Sequence, residues 1–299
     1  MRSIIELTDE QLHTYAPSIM TQDPSPRMST RYKQVKTIDL VNLMRKQDWV
    51  PTRARQINTR LENNRPFCKH EIRFSRRADV GTQTAVGGEM VQAILTNSHN
   101  GTSVFKFLMG IYRLVCSNGL VVAQSKMGAI NIKHVGFDPQ EVIDAASTIT
   151  DRAEVVTSRI NAFKSVELFI DEQFAFARAA SKLIGDEETP VVLDSLLRAK
   201  RYEDHNGSLW TTYNVVQENM LKGGVRLIRP LKEGSSISRY RSTRTGDAIS
   251  ESGLSGKLDP NKLYRVSKSK AVKSIDKDIK LNEALWTLTE EFAALKNVA

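Results

Sequence analysis

The stretch MVQAILTNSHNGTSVFKFLMGIYRLVC, residues 90–116, decides the fold of this chain. It contains two apolar runs joined by Ser-His-Asn-Gly, and Asn-Gly between two such runs is a strong signal for a β-hairpin. HEIRFSRR, residues 70–77, alternates apolar and polar positions, and AINIKHVGF, residues 129–137, indicates a further strand. We therefore predict a twisted antiparallel sheet that carries arginine side chains on one face.

Helical patterns flank this sheet region. Thr8 and Gln11 have the spacing of a capping box, which predicts a short N-terminal helix. Helical spacing begins again at Asp138, where the following proline suits the first position of a helix. Near the end of the chain, apolar residues form a stripe at helical spacing, which predicts an amphipathic helix.

Together these patterns indicate an α+β protein, with the sheet in the N-terminal half packed with a long helical C-terminal half. Residues 230–273 are rich in Ser, Gly, Arg and Thr, a composition that does not support a core of its own. The predicted organisation is a mainly antiparallel β domain with short helices over 1–137, a helical region over 138–229, a flexible basic segment over 230–273 and a terminal amphipathic helix over 274–299.

The charge of the chain is unevenly distributed. The 299 residues carry a formal net charge of +9 at pH 7. Residues 27–77 contain 14 Lys or Arg against 4 Asp or Glu, residues 222–273 contain 13 against 4, and residues 138–204 contain 8 against 14. Two basic blocks around an acidic one favour a polyanionic partner, most often nucleic acid. The alternative is that the charged residues only solubilise the surface.

Cysteine content and hydropathy indicate the compartment. Cys68 and Cys116 are too few for a disulfide framework, which indicates a reducing environment. No stretch reaches the roughly 18 apolar residues that suggest a membrane span, and the N-terminus lacks the apolar core of a signal peptide. We expect a soluble, cytoplasmic protein with no membrane partner.

The chain contains no phosphate-binding loop, dinucleotide-binding loop, zinc-protease motif or nucleophile elbow. Cys68 and His70 pair two metal-ligand types, but their spacing matches no common zinc ligand pair. Cys116 would be nucleophilic if Arg113 lowered its pKa, yet no histidine lies nearby in sequence to act as base. Burial of Cys116 in a strand before a tight turn is the favoured interpretation. We expect no metal, no cofactor and no enzymatic activity.

Arginines clustered beside aromatic residues are the candidate binding residues. Arginine forms bidentate contacts with phosphate, and aromatic rings provide stacking surfaces for bases. We predict phosphate contacts from Arg53, Arg55, Arg73, Arg76, Arg77 and Arg113 on the sheet and from Arg239, Arg241 and Arg244 on the basic segment, with Trp49 and Tyr240 as stacking residues. In the alternative interpretation Trp49 belongs to the core, and Arg113 pairs with Glu71 or Glu89.

Four stretches carry a resemblance to a known family. They are RMSTRYKQVKT (27–37), YRLVCSNGL (112–120), KSVELFIDEQFAFARAA (164–180) and LWTTYNVVQENMLKGG (209–224). In this order they resemble a family of phage- and plasmid-like proteins of unknown function. The resemblance implies a bacterial or phage context and carries no catalytic residues with it. The layout of the predicted fold is also similar to that of phage single-strand annealing proteins, an analogy of architecture alone.

Three functional hypotheses follow. The first is a nucleic-acid-binding protein of a bacteriophage or mobile element, with single-stranded DNA favoured, that acts in replication or recombination. The second is a phage-encoded interaction protein that binds a host or defence protein through its acidic helical region and its terminal amphipathic helix. The third is a cysteine- or metal-dependent enzyme. Assembly into a homo-oligomer is compatible with each.

Overall fold

A computed structural model divides the chain into two compact units. Unit 1 comprises Met1–Val156 and Ser274–Ile279, and unit 2 comprises Thr157–Lys273 and Lys280–Ala299. The structure describes residues 4–29, 32, 34–81, 89–103, 105–113, 119–122, 130–132, 138–186, 188–231, 253–258 and 264–296.

Unit 1 begins with two short helices followed by a sheet. Helix α1 (Asp9–Tyr15) has the predicted capping box, because Gln11 N donates to Thr8 Oγ1 at 3.3 Å and Thr8 N donates to Gln11 Oε1 at 2.9 Å. Helix α2 (Thr37–Lys46) follows after a 3-10 turn. The strands are β1 (Trp49–Gln56), β2 (His70–Arg76), β3 (Glu89–Asn97), β4 (Phe105–Arg113), β5 (Gly119–Val122) and β6 (Ile130–Ile132).

The sheet is antiparallel, with strand order β1-β2-β3-β4-β5, and β6 also pairs with β4. The predicted β3–β4 hairpin is confirmed, and Gly101 at its turn has φ +70°, a conformation that glycine adopts at little cost. Strand β5 was not predicted as a separate strand. Cys116 lies outside the described residues, as does Asn118 of the predicted Asn-Gly turn before β5.

One face of the sheet packs against the N-terminal helices. Ile72 and Phe74 are fully buried on this face, and α2 packs against β1. His70 lies on the same face, where its ring is hydrogen-bonded to Ser18 Oγ at 2.9 Å and to Thr37 Oγ1 at 2.8 Å. Period-two alternation along β2 therefore places Glu71 and Arg73 on the opposite face.

Two long helices contribute to both units. Helix α3 (Pro139–Ser165) begins as predicted, with Asp138 Oδ1 accepting from Gln140 N at 2.9 Å. Helix α7 (Ile275–Leu295) is the predicted terminal helix. Its first turn belongs to unit 1 and packs against the second face of the sheet, where Ile275 and Ile279 form an apolar cluster with Ile94 and Leu108. A sheet with a mostly helical C-terminal half confirms the α+β class.

Unit 2 is built around a buried helix. Its elements are α4 (Ile170–Ser181), α5 (Leu193–Leu197), α6 (Leu209–Lys222), β7 (Arg226–Pro230), β8 (Tyr264–Lys268) and the second part of α7. Every residue of α6 from Leu209 to Met220 is buried. The Trp210 ring is stacked on Tyr213 at 5.4 Å between centroids, and both rings contact Trp286 of α7 edge-on.

Strands β7 and β8 pair as an antiparallel ribbon. Strand β8 lies inside the segment 230–273, for which no regular structure was predicted, and residues 232–252 and 259–263 of that segment lie outside the described residues. Within the described part of the chain, no helix combines the length and the apolarity that crossing a membrane requires.

Candidate nucleic-acid interface

Three of the predicted arginines share the second face of the sheet in unit 1. Arg53 lies opposite Arg73 and Arg55 opposite Glu71 in the β1–β2 register. The Glu71 carboxylate accepts from Arg73 Nε at 2.9 Å and from Arg55 Nη2 at 2.6 Å. Arg55 Nη2 also donates to Asp278 Oδ2 at 2.7 Å. The structure therefore uses Arg55 and Arg73 in an internal ion-pair network.

The electrostatics of this network are those of a buried carboxylate held between cations. Burial alone would raise the pKa of Glu71, but the charges of Arg73 and Arg55 and their hydrogen bonds lower it to about 2. Arg73 is 2% exposed, so the predicted phosphate contact from this side chain is not available in this fold. Arg53 is the exposed member of the three.

Arg76 is the last residue of β2 and lies opposite Trp49 of β1, and Arg77 follows it in the chain. Trp49 is 2% exposed, and the Arg76 guanidinium lies 4.9 Å from the centroid of its ring. The structure thus places Trp49 in the core, as the alternative interpretation had it, rather than at a stacking surface. Arg77 is half-exposed and pairs with Glu6 at 2.9 Å.

The remaining predicted sheet arginine is Arg113. It is the last residue of β4, where its backbone lies opposite that of Glu89.

The Cys68–His70 pair does not form a metal site among the described residues. Cys68 is buried and its Sγ donates to Asn64 O at 3.3 Å. Burial, followed by the nearby ring of His99, lowers the pKa of His70 to about 3. No group of three or more His, Cys, Asp or Glu side chains in the described part of the chain is placed to bind a metal.

Unit 2 contains a cationic ribbon formed by β7 and β8. Arg226 lies directly opposite Lys268, and Arg229 lies directly opposite Arg265. Like charges at directly opposed positions of an antiparallel pair are destabilising. The segment that joins the two strands carries the predicted residues Arg239, Tyr240, Arg241 and Arg244, all of which lie outside the described residues. The two strands of the ribbon therefore directly precede and follow this segment in the chain.

A cleft of ≈990 Å³ lies beside this ribbon in unit 2. Four of the described residues that line it are cationic, and they come from two parts of the chain, Arg198 and Lys200 after α5 and Arg226 and Lys268 from the ribbon. Asp194 is the acidic residue among those that line it. Cations that converge on one concave surface create a positive potential suited to a phosphate backbone.

Two side chains of the buried helix α6 hold one wall of this cleft. Asn219 Nδ2 donates to Leu196 O at 2.8 Å and to Arg198 O at 3.0 Å. Glu218 accepts from Arg201 Nη1 at 2.8 Å and from Arg201 Nη2 at 3.0 Å, and Lys200 Nζ, which lines the cleft, lies 3.8 Å from Glu218 Oε1. Burial would raise the pKa of Glu218, but its hydrogen bonds and charge interactions with Arg201 and Lys222 lower it to about 2. These residues belong to the stretch NVVQEN that carries the family resemblance.

The residues of this interface were only partly predictable. The charge surplus of residues 222–273 indicated the ribbon without naming Arg226 or Lys268. Arg198 and Lys200 lie inside the acidic block 138–204, so a charge count by segment concealed them. Only the tertiary structure, which places them on the same cleft as Arg226 of β7, identifies them as candidate binding residues.

The fold and this surface define an α+β protein with a cationic ribbon and cleft. The chain belongs to the family described as "Domain of unknown function (DUF932)", whose sequence profile matches residues 26–286. The resemblance to a family of unknown function is thereby confirmed, and the matched range includes the ribbon and the cleft.

Two curated relatives are similar to this chain over most of its length. It is 32% identical over 285 residues to "UPF0380 protein YafZ" of Escherichia coli (strain K12). The aligned residues make up 95% of this chain and 90% of the relative. "UPF0380 protein YfjQ" of the same strain is 32% identical with the same coverage. No solved structure matches the chain.

Proposed function

We propose that this protein binds nucleic acid, with single strands favoured, through the cationic ribbon and the cleft beside it. The observation that carries the proposal is the convergence of Arg198, Lys200, Arg226 and Lys268 on one cleft. Two of these cations, Arg226 and Lys268, also face each other directly across the ribbon. No catalytic role is assigned to these residues, because their chemistry is that of phosphate neutralisation.

The physical basis is the relief of like-charge repulsion. Opposed cations on paired strands raise the energy of the free protein, and a phosphate between them offsets that repulsion. Neutralised phosphates also release condensed counterions, which makes binding depend steeply on salt. The phosphate contacts predicted from sequence for Arg239, Arg241 and Arg244, in the segment that joins β7 to β8, remain part of the proposal.

The biological setting is part of the proposal. The resemblance to phage- and plasmid-like proteins supports a role on the DNA of a bacteriophage or other mobile element, in replication or recombination.

The test is a binding titration of the full chain across a salt series. Labelled single-stranded DNA, duplex DNA and RNA would be titrated with wild type and with Arg226→Ala/Lys268→Ala, followed by fluorescence anisotropy. We expect the double variant to bind single strands more weakly, with a salt slope smaller by about 0.7 for each phosphate that is no longer neutralised, or about 1.4 in all. The matched control is Lys277→Ala/Lys280→Ala, which removes the same charge from exposed positions on α7.

A second pair of variants separates this surface from the one predicted from sequence. Arg53→Ala/Arg77→Ala removes the two members of that set whose side chains are exposed in the described part of the chain. A smaller salt slope in this variant, with normal binding by Arg226→Ala/Lys268→Ala, would move the interface to unit 1. Absence of binding by well-folded wild type at low salt would overturn the proposal and leave the protein-partner hypothesis in first place.

A further inference from the structure

Tyr202 is the most exposed large hydrophobic side chain in the described part of the chain, at 90% exposure. It begins a 3-10 turn (Tyr202–His205) that follows Lys200 and Arg201 directly. A single exposed aromatic residue is common on protein surfaces and by itself indicates nothing. Its surroundings distinguish Tyr202 from such residues.

Residues on both sides of Tyr202 are held by hydrogen bonds to buried side chains. On one side, Arg201 is held by the paired hydrogen bonds to Glu218, and the Arg198 carbonyl accepts from Asn219. On the other side, Asp204 is buried and accepts from Arg201 Nη1 at 3.0 Å. An exposed ring on an anchored backbone presents its face to a ligand at low entropic cost.

Tyr202 also belongs to a segment that borders two clefts. Arg198 and Ala199 line the cationic cleft and also a second cleft of ≈460 Å³ in unit 2. Asp204 and His205, just after Tyr202, line the second cleft as well. A strand whose phosphates follow the cations at Arg198 and Lys200 would therefore run beside the segment that carries Tyr202, two residues after Lys200.

We infer that Tyr202 is a stacking residue for an unpaired base of single-stranded nucleic acid. The inference rests on the proposed function and adds the source of the single-strand preference. Cations contact the backbone of single and double strands alike, so they do not discriminate between them. An unpaired base exposes a π-face to an aromatic ring, whereas the bases of a duplex are stacked on one another.

The experiment compares Tyr202→Ala and Tyr202→Phe with wild type on three probes. The probes are a short single strand, the duplex of the same sequence and an abasic strand of the same length, which keeps the phosphates and lacks the bases. We expect Tyr202→Ala to bind the single strand about 5- to 150-fold more weakly, the effect of removing one stacked base. Affinity for the duplex and for the abasic strand, and the salt slope, should not change. Tyr202→Phe keeps the ring and should bind as wild type does.

The matched control is Tyr15→Ala, which removes another exposed tyrosine, 55% exposed at the end of α1. DNA and RNA single strands are tested separately, because both offer the same base faces. If wild type binds single strands and Tyr202→Ala binds them equally well, the stacking role is overturned while the proposed function stands. An equal weakening on the abasic strand would also overturn it, because the tyrosine would then act on the backbone. Failure of wild type to bind any probe would overturn both.

Discussion

Arg201 and Glu218 form a two-point ion pair in unit 2, with Nη1–Oε2 at 2.8 Å and Nη2–Oε1 at 3.0 Å. Glu218 is 3% exposed and lies in α6, whereas Arg201 precedes the turn that carries Tyr202. Lys222 Nζ also donates to Glu218 Oε1, at 2.7 Å. A single buried carboxylate therefore connects the central helix of the unit to the wall of the cationic cleft.

Substitution Glu218→Gln is expected to lower the free energy of unfolding by about 1–3 kcal/mol. The amide keeps the shape of the side chain but removes the charge that Arg201, Lys222 and Lys200 share. Hydrogen bonds to charged groups are the stronger kind. The measurement is urea unfolding followed by circular dichroism. Glu203→Gln, an exposed change close by, serves as the control and should shift stability by less than about 0.5 kcal/mol. Equal stability of the two variants would contradict a supporting role for Glu218.

Gly223→Ala is expected to destabilise more than Gly224→Ala. Both glycines have positive φ, +77° and +93° respectively, so an alanine at either one is strained by about 1–3 kcal/mol. A Cβ at Gly223 would also lie 2.7 Å from Ala271 N, whereas nothing lies within 4 Å of a Cβ at Gly224. Thermal unfolding of the two variants separates strain from collision. A Gly224→Ala variant as unstable as Gly223→Ala would show that the close approach of residue 271 contributes nothing.

Arg73→Ala is expected to reduce stability and to leave nucleic-acid binding by the folded protein unchanged. Removal of one partner from a buried ion pair costs about 3–5 kcal/mol, and both Arg73 and Glu71 are almost fully buried. Arg77→Ala, at a half-exposed position, should cost less than about 1 kcal/mol. Urea unfolding and anisotropy on the same samples test both statements. Normal stability with weakened binding would return Arg73 to the interface.

Acid should destabilise unit 1 in two overlapping pH windows. His70 has a folded-state pKa of about 3, below its ordinary 6.5, so the unfolded chain binds the proton first. Stability from neutral His70 is therefore complete above pH 6.5 and is lost as the pH falls toward 3, at about 1.4 kcal/mol per pH unit. Glu71 has a folded-state pKa of about 2, below its ordinary 4.5, so its contribution is lost as the pH falls from 4.5 toward 2.

The two windows can be separated by substitution. His70→Gln should reduce the slope of stability against pH between 6.5 and 5, measured by urea unfolding at each pH. The buried neutral state of His70 would be refuted by an identical slope in the His70→Gln variant.

Several elements were predictable because their signals are local. The capping box at Thr8 and Gln11 depends on residues three apart, and the β3–β4 hairpin depends on one glycine at its turn. The start of α3 at Pro139 follows from the missing N–H of proline. Each of these signals is complete within a few residues, so tertiary contacts were not needed to interpret it.

By itself, the sequence determined the α+β class, the order of its main elements, the family and the presence of a basic segment near the end of the chain. Only the tertiary structure decided which cations are internal. Arg55 is paired with Asp278, 223 residues away, and Trp49 is buried under Arg76. Contacts over such separations depend on how helices and strands meet in space, and no local pattern encodes them. For the same reason Arg198 and Lys200, in an acidic stretch of sequence, face the same cleft as Arg226 and Lys268.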